Sequence, residues 1–128
     1  MAYIKYKELT KYFDFQHEIK AEDLPDYVLE YIDPGDHALL GYKNHRDYAV
    51  FTTKRMVLFD KNPLATYKKV HIIPYASIST SAIGFKPGKV EILTSLDSGY
   101  QMHINFIHMD HAKKDTLKEI YKLIMKDK

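Results

Sequence analysis

The pattern of apolar and polar positions divides the chain into three parts. Residues 1–35 are predicted to form a helical lead-in, residues 36–108 a series of short strands, and residues 110–126 a closing helix. Asp23 is a suitable helix N-cap. One helical face after it carries four apolar residues, namely Leu24, Val28, Tyr31 and Ile32. The segment from Tyr3 to Phe15 is predicted to be helical as well.

The middle part has the composition and spacing of antiparallel strands. Runs rich in Tyr, Val, Phe and Leu alternate with turn residues. They are His37–Lys43, Asp47–Thr52, Arg55–Asp60, Tyr67–Ile73, Ile78–Phe85 and Lys89–Thr94. The clearest alternation follows, with Tyr100, Met102, Ile104 and Phe106 on one face and Gln101, His103 and Asn105 on the other. This pattern predicts a half-buried strand.

The last part is predicted to be an amphipathic helix from about Asp110 to Met125. Its apolar stripe consists of Leu117, Ile120, Tyr121 and Ile124. Lysines recur every fourth residue beside that stripe, at Lys114, Lys118, Lys122 and Lys126. The order of elements predicts a mainly β (α+β) fold of about seven antiparallel strands followed by a C-terminal helix. A length of 128 residues predicts one domain, 1–128.

Composition limits the chemistry. Cysteine is absent, which excludes disulfides, thiolate catalysis and cysteine zinc sites. No stretch is apolar enough to suggest a transmembrane helix or a signal peptide, so we expect a cytoplasmic protein. The net charge is +2, but residues 1–36 hold nine acidic residues against four lysines, and the remainder is basic. One interpretation is that the acidic segment packs near the basic remainder of the same molecule. The other is that the basic remainder attracts an anionic partner.

Several short segments carry a family likeness. Arg46-Asp47 opens a strand, and Val50-Phe51-Thr52, Lys54-Arg55-Met56, Leu58–Asp60 and Ile73-Pro74-Tyr75 follow in order. With this spacing, the chain from about Leu24 to its end resembles the bacterial pleckstrin-homology (PH-like) domain family. The resemblance implies a barrel plugged by a helix and a small, non-enzymatic binding or assembly module without a cofactor.

The resemblance also implies a candidate anion site. Eukaryotic PH domains bind phosphoinositides with Lys and Arg around their first hairpin, where this chain has Lys43 and Arg46, with Lys54 and Arg55 nearby. Such cations can share a phosphate group. Alternatively, Arg46 and Asp47 form a structural ion pair. Weak contact with anionic lipid is therefore one predicted partner interaction, whereas nucleic acid is not expected.

The histidines offer the remaining candidate chemistry. His103, His108 and His111 lie close in sequence, with Asp110 between two of them, and such a group could hold zinc. Strand alternation and the loop positions favour solvated histidines instead. The serines near His71 lack a G-x-S-x-G elbow, and no carboxylate pair is enforced by spacing. We therefore predict no catalytic residues, no metal and no enzyme activity.

The start of the chain is unusually aromatic, with Tyr3, Tyr6, Tyr12, Phe13 and Phe15 in a single segment. Aromatic side chains are enriched at protein interfaces. We therefore predict that this segment mediates self-association or contact with another protein. The alternative is that it folds over an open side of its own barrel. The predicted function is a PH-like module for protein interaction or homo-oligomerisation, with binding of anionic headgroups or phosphorylated ligands as the alternative.

Overall fold

A computed structural model describes residues 10–45, 47–61 and 68–126 of the chain. These residues form nine strands and two α-helices, joined by turns that include two short 3₁₀ segments, Ala21–Asp23 and Tyr75–Ser77. The strands are β1 (Thr10–Phe15), β2 (His17–Lys20), β3 (Ala38–Lys43), β4 (Tyr48–Thr52), β5 (Arg55–Lys61), β6 (Lys68–Pro74), β7 (Ile78–Lys86), β8 (Lys89–Leu96) and β9 (Gln101–Ile107). The helices are α1 (Asp26–Leu29) and α2 (His111–Ile124).

The strands hydrogen-bond as two sheets, with no ladder closing them into one in the described part of the chain. One sheet has the order β2-β3-β4-β5-β6 and the other the order β1-β9-β8-β7. Contacts divide the chain into two compact units, one spanning Phe15–Tyr75 and the other holding Ala76 onward with the described residues up to Asp14. The predicted mainly β fold with a C-terminal helix is confirmed. The assignment of residues 1–128 to a single domain stays a prediction.

In the first unit, the lead-in packs on one face of the five-stranded sheet. Leu24 and Val28 are buried in a cluster with Val50, Val57 and Phe59. The opposite side of the central strand is buried as well, through Ala49 and Phe51. Burial on both faces explains why β4 is an unbroken apolar run instead of an alternating one.

Gly41 makes the close packing of the lead-in possible. It lies on β3 opposite Val50, and a Cβ atom built on it would lie 2.8 Å from Cδ2 of Leu24. Contacts of that length do not occur between carbon atoms in folded proteins. The missing side chain therefore lets Leu24 approach the sheet directly.

In the second unit, the alternation predicted for the last strand is confirmed. Met102, Ile104 and Phe106 are buried, while Gln101, His103 and Asn105 are half-buried on the other face. Helix α2 begins after Asp110, whose side chain accepts a hydrogen bond from the Lys113 N–H at 2.8 Å.

The apolar stripe of α2 agrees largely with prediction. Leu117, Ile120 and Ile124 are buried, whereas Tyr121 is only half-buried and lies at the edge of the stripe. The sequence therefore located both the helix and the core of its packing face.

The helical prediction for the lead-in is wrong over residues 10–20, where β1 and β2 form, and residues 1–9 lie outside the described chain. The segment from Tyr12 to Phe15 alternates exposed and buried residues with a period of two, which a strand accommodates and a helix does not. The predicted helix after Asp23 shrinks to Asp26–Leu29 and has Pro25 at its N-cap in place of Asp23.

Candidate functional site

The outer face of the four-stranded sheet carries a row of side chains, one from each strand. Leu93 on β8 is paired with His103 on β9 and with Ala82 on β7. The ring of Tyr12 on β1 lies beside His103, with their centroids 5.4 Å apart and their planes tilted by 46°. We call this row of Tyr12, His103, Leu93 and Ala82 the Tyr12 face.

The Tyr12 face is open to solvent although it carries large apolar side chains. The exposed fractions of Tyr12 and Leu93 are 68% and 40%. A shallow depression of about 300 Å³ runs beside them and is also lined by the polar residues Thr80, Ser95 and Gln101. An exposed tyrosine beside an apolar residue with a polar rim is typical of protein interaction surfaces.

A polar network centred on Glu91 borders the row. Its carboxylate lies 3.2 Å from His103 Nε2 and 3.7 Å from Lys86 Nζ. The hydrogen bond with His103 lowers the pKa of Glu91; desolvation opposes this change, and the charge of Lys86 adds to it. In the next row, the Asn105 amide donates to Asp14 Oδ1 at 3.0 Å. These contacts keep the rim of the Tyr12 face ordered and charged.

The three predicted anion-binding residues that the structure describes, Lys43, Lys54 and Arg55, do not all lie together. Lys43 on β3 is paired with Tyr48 on β4, and Tyr48 is paired with Phe59 on β5. Arg55 begins β5, four residues before Phe59. At about 3.3 Å per residue, this places Arg55 roughly 13 Å further along the sheet. Lys54 precedes Arg55, so both lie at the opposite end of the sheet from Lys43. Arg46 lies outside the described residues.

Arg55 is also engaged inside its own unit. Its Nη1 lies 3.4 Å from Asp36 Oδ2 and 3.8 Å from Asp33 Oδ2. Thr52 and Thr53 donate their hydroxyl groups to the Asp36 carboxylate. The backbone N–H groups of His37 and Thr53 add hydrogen bonds of 2.8 and 3.1 Å. Asp36 is therefore a buried carboxylate that Arg55, Thr52 and Thr53 all contact.

The environment of Asp36 has a measurable electrostatic consequence. Burial alone raises the pKa of Asp36, but the hydrogen bonds from Thr52, Thr53 and the two backbone N–H groups outweigh it and lower the pKa to about 2. The carboxylate is therefore ionised across the physiological range, and it ties the turn after α1 to the β4–β5 hairpin.

The fold agrees with the family to which the sequence is assigned. A family model described as "Bacterial PH domain" matches residues 9–127. The chain belongs to this family. No curated protein matches the sequence.

Solved structures agree with the family assignment of this bacterial PH domain. A DUF1696 family protein with a pleckstrin-homology domain from Shewanella loihica PV-4 matches with a TM-score of 0.63 at 22% identity, over 84% of this chain and 92% of that one. A pleckstrin homology domain from Shewanella amazonensis SB2B gives a TM-score of 0.61 at 20% identity, over 84% and 90%. At this identity the likeness establishes the fold alone.

A third match is a longer protein. A PH-domain-containing protein from Exiguobacterium sibiricum 255-15 gives a TM-score of 0.64 at 21% identity. The match covers 88% of this chain but only 61% of that protein. The PH fold therefore also occurs as part of a longer chain.

The aromatic residues predicted at an interface lie in different environments in this PH domain. Phe13 and Phe15 are buried, with 3% and 1% of their surface exposed, so their rings are not available to a partner. Tyr12 points to solvent on the Tyr12 face, and Tyr3 and Tyr6 lie outside the described residues. Among the described members of the set, Tyr12 is the ring that a partner can reach.

The candidate histidines take separate roles. His103 contacts Glu91 on the sheet, and His111 lies 3.6 Å from Asp115 on the exposed side of α2. His108 adopts a φ of 58° in the turn between β9 and α2. In the part of the chain that the structure describes, no three metal-ligating residues come together. No helix there is long and apolar enough to cross a membrane.

Sequence reasoning missed Leu93 and the row that it completes. A signal was available, because the outward positions of β9 were already assigned. Leu93 is also the one apolar residue among the alternate positions Lys89, Glu91, Leu93 and Ser95 of β8. The pairing of Leu93 with His103 depends on strand register, which the alternation of a single strand does not reveal.

Proposed function

We propose that this bacterial PH domain is a non-catalytic module for protein interaction that associates with a second copy of itself through the Tyr12 face. The observation that carries the proposal is the 68% exposure of Tyr12 on an ordered sheet face, next to the exposed Leu93. The backbone of both residues is fixed in a strand and tyrosine has only two side-chain torsions, so docking them costs little conformational entropy. PH-like domains are typically non-catalytic, which agrees with this role.

The size of the Tyr12 face sets the expected affinity. Four strands about 4.8 Å apart, each about seven residues long, give a surface of roughly 400 Å² in projection. This is about half of the roughly 800 Å² that each partner contributes to a standard interface. We therefore expect a weak, reversible contact that is populated at high micromolar concentration.

The proposal does not use Lys43, Arg46, Lys54 and Arg55. Lys43 lies at the other end of the sheet from Lys54 and Arg55, and Arg55 already pairs with Asp36. Deleting residues 1–20 would be an unsuitable test because it would remove β1 and β2.

A substitution at the surface gives a sharper test. The average mass of the wild-type protein, measured by light scattering or sedimentation, should rise with concentration. Tyr12→Ser should weaken association by about tenfold, because exposed aromatic residues such as tyrosine carry much of the free energy of such contacts. Tyr31→Ser is the matched control, since Tyr31 is 46% exposed but lies in the other unit. A monomeric mass at every concentration, or equal loss in both variants, would contradict the proposal.

A further inference from the structure

The helical turn of α1 carries two exposed tyrosines that pack against the five-stranded sheet. Tyr27 and Tyr31 are one turn apart, and 42% and 46% of their surfaces are exposed. Both rings contact Phe59 of β5, with centroids 6.2 and 5.6 Å away and planes at 88° and 75° to it. Tyr27 also meets Tyr48 of β4, at 6.1 Å and 85°. We call Tyr27, Tyr31, Tyr48 and Phe59 the Tyr27 surface.

The base of the Tyr27 surface is ordered. Phe59 is 3% exposed and belongs to the buried cluster beneath α1, and Tyr48 packs against the same cluster. The Tyr31 N–H donates to the Val28 carbonyl at 3.2 Å, so the turn structure continues as far as Tyr31. A partner that meets the two exposed rings therefore removes little conformational freedom from them.

The chain around the Tyr27 surface is strongly acidic. Residues 21–36 include six acidic residues and no lysine, arginine or histidine. Within the described residues, the ion pairs of this stretch are those of Arg55 with Asp33 and Asp36. The other four acidic residues are exposed, namely Glu22, Asp23, Asp26 and Glu30.

Two of these carboxylates adjoin the aromatic rings. Asp26 directly precedes Tyr27, and Glu30 follows Tyr27 by three residues, a spacing that makes side chains neighbours on a helix surface. Lys43, which is paired with Tyr48, offsets one of the negative charges. Exposed aromatic rings and an excess of negative charge therefore occur on the same side of the sheet.

This combination favours a cationic partner. The negative face of an aromatic ring attracts a cation, and the planar guanidinium group of arginine also stacks on tyrosine. Exposed carboxylates attract the same group. Rings that are more than 40% exposed do not enclose a small cationic molecule, whereas a peptide can lay several side chains across them.

From this arrangement we infer that the Tyr27 surface binds an arginine-containing segment of another protein. Guanidinium groups of that segment stack on Tyr27 and Tyr31 and pair with Asp26 and Glu30. The charge complementarity between the acidic stretch and the arginines selects the partner. The Tyr27 surface belongs to the unit Phe15–Tyr75 and the Tyr12 face to the other unit, so this binding goes beyond the self-association proposed above.

Fluorescence anisotropy with the complete chain tests the inference. The probe is a short labelled peptide in which arginine alternates with serine, and we expect saturable binding that weakens as salt is added. The same peptide with citrulline, which has a similar shape and no charge, should bind about tenfold more weakly. Lysine in place of arginine should weaken binding about threefold, because it keeps the charge but loses the stacking.

A first variant tests the aromatic ring. Tyr31→Leu keeps an apolar side chain but removes the ring, so it should weaken binding of the arginine peptide about threefold to fivefold. Tyr12→Leu is the matched control, because it removes an exposed tyrosine from the other unit and should bind the peptide as the wild type does.

A second variant tests the charges. Asp26→Asn combined with Glu30→Gln should weaken binding of the arginine peptide roughly fivefold. The matched control is Asp115→Asn with Glu119→Gln, which removes two exposed carboxylates at the same four-residue spacing from α2. Thermal unfolding of every variant checks that it is folded.

Four results would overturn the inference. The first is the absence of saturable binding by the arginine peptide, and the second is equal binding of the arginine and citrulline peptides. The third is an equal loss of binding in a variant and its matched control. The fourth is a lower self-association of Tyr31→Leu with unchanged peptide binding, which would assign the Tyr27 surface to a second copy of the chain.

Discussion

Among the described glycines, Gly41 is the one at which an added Cβ atom would lie within 3.0 Å of another atom. A Cβ atom there would lie 2.8 Å from Leu24 Cδ2 and 3.4 Å from the Ala49 carbonyl oxygen. We expect Gly41→Ala to lower the free energy of unfolding by about 1–3 kcal/mol, as overpacking a core does. Urea denaturation measures the loss.

The control for Gly41 is Gly35→Ala. An added Cβ there would meet only Asp33 Oδ1, at 3.7 Å, so the expected change is below about 0.5 kcal/mol. A double-mutant cycle identifies the cause, because Leu24→Ala should remove most of the added cost of Gly41→Ala. Full additivity of the two substitutions would mean that Leu24 is not the obstacle.

Asp36 makes stability depend on pH. Its folded-state pKa of about 2 lies below the ordinary value of 3.8, so ionised Asp36 stabilises the folded state. This contribution, about 2 kcal/mol, is complete above about pH 4 to 5 and is lost as the pH falls towards 2. We expect Asp36→Asn to be less stable than the wild type at neutral pH, with the difference narrowing in that window.

Urea unfolding midpoints between pH 7 and pH 2 measure the effect. Asp23→Asn is the control, because it removes an exposed carboxylate of the same unit and should change stability by less than about 0.5 kcal/mol. A difference between the wild type and Asp36→Asn that stays constant down to pH 2 would show that ionisation of Asp36 is not its source.

The roles of single residues were the least predictable part of the molecule. The Asp33-Pro34-Gly35-Asp36 turn is evident from the sequence, but the partners of Asp36 come 16 and 17 residues later at Thr52 and Thr53. Likewise Leu24 meets Gly41 only through the tertiary fold. Local patterns do not determine such contacts, because these depend on how separate elements pack.

At the scale of elements, helix α2 owes its position to its apolar stripe. Leu117 and Ile124 are fully buried and Ile120 is 7% exposed. We expect Ile120→Ala to cost about 2–5 kcal/mol of unfolding free energy. Glu119→Ala, on the exposed side of the same helical turn, should cost about 0.5 kcal/mol or less. A cost for Ile120→Ala within the range of the control would mean that the stripe does not pack in the core.

Elements with a long periodic pattern were predicted well, and short ones were not. The alternation of β9 and the four-residue spacing of α2 both persist long enough to identify the element. The lead-in gave a helical pattern, but its four residues from Tyr12 to Phe15 alternate as a strand. A segment of four residues fits the period of a helix as well as that of a strand. The pairing of β1 with β9 decides in favour of the strand.

At the scale of the whole molecule, the sequence was sufficient to predict the family but not the Tyr12 face. The ordered short segments between Arg46 and Tyr75 resemble the bacterial PH family, and the family match confirms this assignment. The Tyr12 face needs the register of four strands. Residues remote in sequence create this surface, so the family resemblance did not indicate it.

Strand β7 ends the four-stranded sheet, and amide hydrogen exchange can test whether copies of the chain meet there. Among the described strands, β7 hydrogen-bonds only with β8, so alternate amides along it face away from the sheet. We expect these to exchange quickly, whereas amides of the central strands β4 and β8 should be protected up to the global stability. Because the proposed association uses the Tyr12 face, dilution should leave the exchange of β7 unchanged. Protection of its outward amides that appears only at high concentration would show instead that copies pair edge to edge, and the Tyr12 face would then not be the contact.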